Sequence, residues 1–311
     1  MRVFLAGATG AIGRQLLPLL LADGHQVTGL TRSRQRAQAL KAAGAEPAVA
    51  DALDREAIRQ AVLAARPDAV IHELTSIPPL PNPRTMERDF LLNDRLRTEG
   101  TRHLLAAAQE AGARRVVAQS IAFSYAPGPA GTVHVESDPL LTAEQADRSF
   151  RRSAQALREL EASVLGARGI VLRYGYFYGP GTSYEREGAM TRELRRRRMP
   201  IVGDGGGVWS FVHIEDAARA TLAALHHDGP ACFNVVDDEP APVAEWLPAL
   251  ASAVGAPRPM RIPAWLARPL AGSYGIEVMT RAQGASGALA QEQLGWRPRH
   301  RSWRDGFRTA L

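Results

Sequence analysis

Lysine is nearly missing from this sequence: of its 38 Lys and Arg residues only Lys41 is a lysine. Cysteine is as scarce. Cys232 stands alone, so no disulfide can form within the chain, as expected of a protein kept in a reducing compartment. No Cys/His spacing of the kind that holds zinc occurs, and no metal site is expected. Long apolar runs are absent too; "LLPLLLA" is too short to span a bilayer and is broken by Pro18. The opening "MRVFLAGATG" has neither the basic region nor the long apolar core of a secretory signal. Together these features predict a cytoplasmic protein without a membrane partner. The net charge of +6 raises nucleic acid as a partner. Its sharpest basic cluster, "RELRRRR" at 192–198, spreads its arginines around a helix and reads as a solvated face, with an anionic ligand second and nucleic acid last.

With 45% hydrophobic and 23% charged residues, what remains is an ordinary globular composition. Apolar strands at 2–7, 26–32, 47–51, 68–74, 114–121 and 169–175 alternate with helices at 13–24, 33–44, 55–65 and 92–112. Strands apolar throughout and separated by helices predict an α/β fold, a doubly wound parallel sheet of Rossmann type covered on both faces. After about residue 176 glycine and proline rise and the elements shorten. The expected division is a dinucleotide-binding domain over 1–175, with a returning segment near 202–236. A smaller, interleaved substrate domain over 176–201 and 237–311 completes it.

The stretch "GATGAIG" sets Gly7, Gly10 and Gly13 between the first strand and the first helix. Such glycines let a backbone turn tightly and approach a pyrophosphate, which the N–H groups and positive dipole end of the helix then hold. At the end of the second strand, where an acid would suit the 2′-hydroxyl of NAD, the chain reads "LTRSR". Arg32 and Ser33 suit a 2′-phosphate, which favours NADP(H) over NAD(H), unless Arg32 only points to solvent. Asp51 either accepts from the adenine amino group or caps the turn before the third helix.

Further motifs carry a resemblance. "DALD" (51–54), "DAVIH" (68–72), "NDRLRTEGTRHLLAAA" (93–108), "VLRYGYFYGPG" (171–181), "VGDGGGVWSFVHIEDAARA" (202–220), "FNVVDDEP" (233–240) and "LGWRP" (294–298) join the glycine loop. The sequence resembles the extended short-chain dehydrogenase/reductases, or NAD-dependent epimerases/dehydratases, over nearly its whole length. That resemblance implies a Rossmann domain on a nicotinamide cofactor, with a small-molecule substrate bound in the cleft to a C-terminal domain. It extends the cofactor site from the glycines to Thr9, Ile12, Ala52 and Leu74. It also implies a homodimer built on the helices at 92–112 and 149–164.

In that family a serine, a tyrosine and a lysine do the chemistry, the last two four residues apart on one helix face. Here the helix reads "SFRRSAQALRELE" (149–161). Aligning on Glu161 puts Ser153 and Leu157 at the two positions; aligning on Glu159 puts Arg151 and Gln155 there. Neither register restores the pair, so the resemblance is to an atypical member. Ser120 is the candidate for the serine, unless Ile121 holds that position. Tyr125, Tyr174 and Tyr176 are the candidate proton donors. Trp209 stands in "WSFVH" where members acting on nucleotide sugars carry an arginine, which suits an uncharged ring or chain better than a diphosphate. His213 in the same motif reads as structural. The expected function is an NADP(H)-dependent oxidoreductase on a small carbonyl or alcohol. The alternatives are an epimerase, dehydratase or other lyase/isomerase, and a non-catalytic NADP-binding protein.

Overall fold

The computed structural model describes residues 1–82 and 84–309. Five strands come first: β1 (Arg2–Ala6), β2 (Gln26–Thr31), β3 (Glu46–Val49), β4 (Ala69–His72) and β5 (Arg115–Ile121). Ile170–Tyr174 and Ala231–Val235 complete one sheet, whose order is Ala231–Val235, Ile170–Tyr174, β5, β4, β1, β2, β3. Every pairing in it is parallel. Parallel neighbours need crossovers, and helices α1 (Ala11–Ala22), α2 (Arg34–Ala42) and α3 (Arg55–Ala65) supply the first three.

The inner strands are largely apolar because both their faces are covered, whereas β3, at the edge of the sheet, has no fully buried residue. Val3 and Leu5 of β1 face a cluster with Leu16 and Leu20 of α1 and with Ala217 and Ala220 of the helix Ile214–Ala224. Phe4 and Ala6 face the opposite way, toward Ile58 and Val62 of α3 and Leu104 of the helix Thr101–Glu110. That alternation is the two-residue period of a strand. The helix Arg151–Gly166 covers the same side further along, setting Leu160 and Val164 on Ala118 and Val171.

The long helix expected at 92–112 is interrupted. Leu91–Arg95 passes through a π-helical turn, Leu96–Gly100, into Thr101–Glu110. The inserted residue of a π turn rotates the side chains that follow, and such turns gather at functional sites. Asp94 just before it and Leu96 and Arg97 within it are buried.

From β1 the chain winds outward to β3, then returns to β4 on the other side of β1. A sheet of this kind binds ligands outside the carboxyl ends of its strands at that reversal. Beyond Gly175 a second core forms, in which Tyr178, Trp209, Phe211, Trp246, Trp303 and Phe307 pack together. Its strands are short pieces such as Tyr176–Tyr178, which pairs in parallel with Phe211–His213. The arginine cluster lies on and after the helix Ala189–Arg195, where Arg195 pairs with Glu187, and Arg196 and Arg198 with Glu193.

One buried ion pair fastens the helix Arg151–Gly166 to the sheet. Nη2 of Arg173 donates to Glu161 at 2.6 Å, and both side chains are almost wholly enclosed. Burial alone would lower the guanidinium pKa; the Glu161 carboxylate outweighs it and holds it above its ordinary value. Removing one partner of such a pair strands the other charge. Arg173→Met should therefore cost about 3–5 kcal/mol in urea unfolding, and the double variant Arg173→Met/Glu161→Leu should recover much of that. A single variant as stable as the native chain would overturn this account.

Candidate active site

The glycine loop shows close backbone contacts where the cofactor is expected. Gly7 has φ +100°, and a Cβ there would lie 2.5 Å from the Glu73 carbonyl oxygen. A Cβ on Gly13 would lie 2.2 Å from the Gly7 carbonyl, so helix and loop touch through backbone. At Gly10 the same atom would meet only that carbonyl, at 3.2 Å, which leaves its outer side open. Helix α1 begins with no side-chain cap and no acid in its first turn, so its leading N–H groups stay available. These features fit a pyrophosphate. Thr9 is half-buried beside the loop, while Ile12 packs into the core.

At the end of β2, Ser33 is turned to structural use. Its N–H donates to Thr31 Oγ1, and its hydroxyl caps α2 by accepting from the Arg36 N–H. Arg32 is exposed and makes no hydrogen bond or ion pair among the described residues. Asp51 is also exposed; its Oδ1 accepts from the Leu53 N–H at 3.0 Å, the turn-capping geometry. Ala52 is buried past the end of β3, at the edge of the sheet, and Leu74 is half-buried past the end of β4, beside the reversal.

Along the helix Arg151–Gly166, Glu161 is buried whereas Glu159 is exposed and accepts from Gln155. Ser153 and Leu157 thus share the inward face with Glu161. Ser153 donates its hydroxyl to Asp94 at 2.8 Å, and Leu157 packs among Phe150 and Ala154.

The four hydroxyls proposed from sequence do not converge. Ser120 donates to Glu161 at 2.6 Å. Tyr125 donates to Asn234 at 2.6 Å and accepts from Arg173. Both are enclosed in one network. Tyr174 lies elsewhere, 2.7 Å from Thr221 and 3.2 Å from Glu73. Tyr176 differs. Its ring stacks between Phe123 at 4.2 Å and Trp209 at 3.9 Å, and its hydroxyl has no partner among the described residues. Burial holds every tyrosine of the chain above its ordinary pKa, so all six phenols stay protonated at neutral pH.

Three residues here escaped the sequence reading. Arg97, within the helix expected at 92–112, is buried on the π turn, and burial pulls its pKa down to about 10. Tyr274 comes from the late helix Ala264–Thr280 and stacks on Phe150 at 4.9 Å. Glu73 is an acid at the end of an apolar strand, the one signal that could have drawn notice. It is buried, and that burial raises its pKa to about 8. Its Oε1 accepts from the Tyr174 hydroxyl at 3.2 Å; that hydroxyl lies 2.7 Å from Thr221, which donates to the Ala217 carbonyl.

The profile of the NAD dependent epimerase/dehydratase family matches residues 3–235. A 3-diazoavenalumate denitrifying reductase of a Streptomyces species is 45% identical over 313 residues, covering 99% of each chain. A 2-alkyl-3-oxoalkanoate reductase of Stenotrophomonas maltophilia is 26% identical, covering 83% of this chain and 77% of its own. Among solved structures, the UDP-glucose 4-epimerase of Thermus thermophilus in complex with NAD has a TM-score of 0.74 at 26% identity, with 100% of each chain covered. No helix among the described residues is long and apolar enough to cross a membrane.

Glu73 makes stability depend on pH. Unfolded, its carboxyl ionises near 4.5; folded, it keeps its proton to about 8. The folded state thus binds the extra proton between these values, and stability falls as pH rises across that window. Glu73→Gln should therefore gain Tm relative to the native chain at about pH 8 but not at about pH 5. An equal effect at both would show that Glu73 is ionised in the fold.

Proposed function

The chain belongs to the NAD-dependent epimerase/dehydratase family, and from that premise we propose that it is an NADPH-dependent reductase whose substrate takes hydride without needing a proton from the protein. The substrate class we assign is a diazo compound reacting as its diazonium cation, in line with the name of the 45% identical Streptomyces relative. Bound over the glycine loop, reduced NADP supplies the hydride, and R–N₂⁺ + NADPH → R–H + N₂ + NADP⁺ closes in atoms and charge with no proton exchanged.

The observation that carries this reading is the inward face of the helix Arg151–Gly166. Ser153 and Leu157 lie there, at the positions that the resemblance gives to the tyrosine and the lysine when aligned on Glu161, and Lys41 is on α2. A carbonyl becomes an alkoxide as it accepts hydride, so its reduction needs a placed acid. A diazonium ion loses its charge in the same step and needs none. Positioning then supplies most of the rate. Ser120 and Tyr125, engaged with Glu161, Asn234 and Arg173, serve to hold the wall of the cleft.

For the cofactor, Gly7, Gly10, Gly13 and Thr9 border the pyrophosphate, with Ile12 fixing the helix beneath. The unpaired Arg32 meets the 2′-phosphate, beside Ser33. Asp51 keeps Oδ2 for the adenine amino group, and Ala52 and Leu74 flank the base and ribose. Residues 1–175 and the return near 202–236 form the nucleotide half; 176–201 and 237–311 form the substrate half.

A carbonyl reading has one observation in its favour. Of the proposed donors, Tyr176 keeps a free hydroxyl, and the Stenotrophomonas relative is named for a 3-oxo acid. The two readings separate in one set of assays. With an arenediazonium salt, NADPH carrying deuterium at C4 should be consumed in step with nitrogen release, and the arene should carry that label but none from heavy water. Enzyme-free controls set the background. Label taken from solvent instead would sink the proposal. Tyr176→Phe should leave this rate intact while cutting any ketone reduction about tenfold or more. Arg32→Ala should weaken NADPH binding about tenfold and leave NADH unchanged; equal loss of both would remove Arg32 from the cofactor site.

A further inference from the structure

Arg97 is 4% exposed and carries five N–H donors, yet makes no hydrogen bond and no ion pair among the described residues. Burying an unpaired charge is costly, and two other buried charges of this chain are matched. Arg173 meets Glu161, and Asp216 accepts from the backbone N–H groups of Arg299 and His300. Asp94, the acid nearest Arg97 in sequence after Glu99, is occupied by Ser153 and approached at 4.0 Å by Arg152.

The π turn that carries Arg97 packs on the helix Arg151–Gly166. The charges acting on Arg97 are those of Asp94, Tyr274 and Glu161, which come from three different helices. Tyr274 packs against the face of the helix Arg151–Gly166 that carries Leu157. Tyr176, whose ring belongs to the Phe123–Tyr176–Trp209 stack, is close enough to Tyr274 for the two hydroxyls to influence each other. Neither hydroxyl has a protein partner among the described residues. A buried cation and two idle phenols thus lie near one another beside an aromatic stack.

We propose that Arg97 is the anion anchor of this cleft, gripping the carboxylate of a planar aromatic acid whose ring lies along Phe123, Tyr176 and Tyr274. This deepens the reductase reading by naming the substrate class as an aryl carboxylic acid, and it rests on that reading only for the location of the site. A guanidinium and a carboxylate match as a two-pronged pair, and the match gains strength where water is excluded. On this assignment the glycine loop holds the pyrophosphate and Arg97 the substrate.

Calorimetry on the full chain saturated with NADP⁺ tests this with two ligands of one shape, cinnamate and cinnamamide. Native protein should bind the acid about tenfold or more tightly than the amide. Arg97→Met should erase that preference, leave NADP⁺ affinity unchanged and raise the Tm of the free protein, because an unpaired buried charge is gone. If cinnamate fails to bind the native chain, or binds no better than the amide, the assignment falls without any variant being needed. If Arg97→Met lowers Tm or fails to fold, Arg97 is structural. If it weakens NADP⁺ as much as cinnamate, Arg97 serves the cofactor. Both results overturn the proposal. The readout is affinity, so the reductase reading can fail in turnover while this one stands, and the reverse.

Discussion

The guanidinium of Arg173 and the carboxylate of Glu161 meet inside the protein, and much of the site is arranged around them. The pair joins the strand Ile170–Tyr174 to the helix Arg151–Gly166 and draws in Ser120, Tyr125 and Asn234. A charge pair sealed from water must have its remaining donors and acceptors met. Hydroxyls that look catalytic in sequence are used up in meeting them. The same clamp orients the helix so that Ser153 and Leu157, not Glu159, look inward.

The sheet was legible because its signal is redundant. Each strand from β1 to β5 is largely apolar and bounded by a helix, and a parallel sheet covered on both faces buries such strands best. The glycine loop was legible for a similar reason: Gly7 and Gly13 leave no room for a side chain. Arg32 and Asp51 could be placed at strand ends, although capping claimed Ser33 and one oxygen of Asp51.

The rest of the site was not legible, and the cause is geometric. Arg97 is turned inward on a helix whose π turn leaves no mark in a pattern of charges. Tyr274 comes from more than a hundred residues beyond the helix it packs on, and nothing local announces such a contact. Whether a hydroxyl is free depends on who sits beside it. That is why Tyr125 and Tyr176, similar on the page, end in opposite situations.

The protonated phenols have a consequence for self-protection. Diazonium cations couple to phenolates to form azo adducts, and far more slowly to neutral phenols. A protein that admits such an electrophile exposes its own side chains to it. Here burial keeps all six tyrosines in the unreactive form. The one lysine lies on α2, away from the cleft. With the diazonium substrate proposed above, the near absence of lysine and cysteine from this sequence would spare the walls of the cleft from attack by the bound reagent.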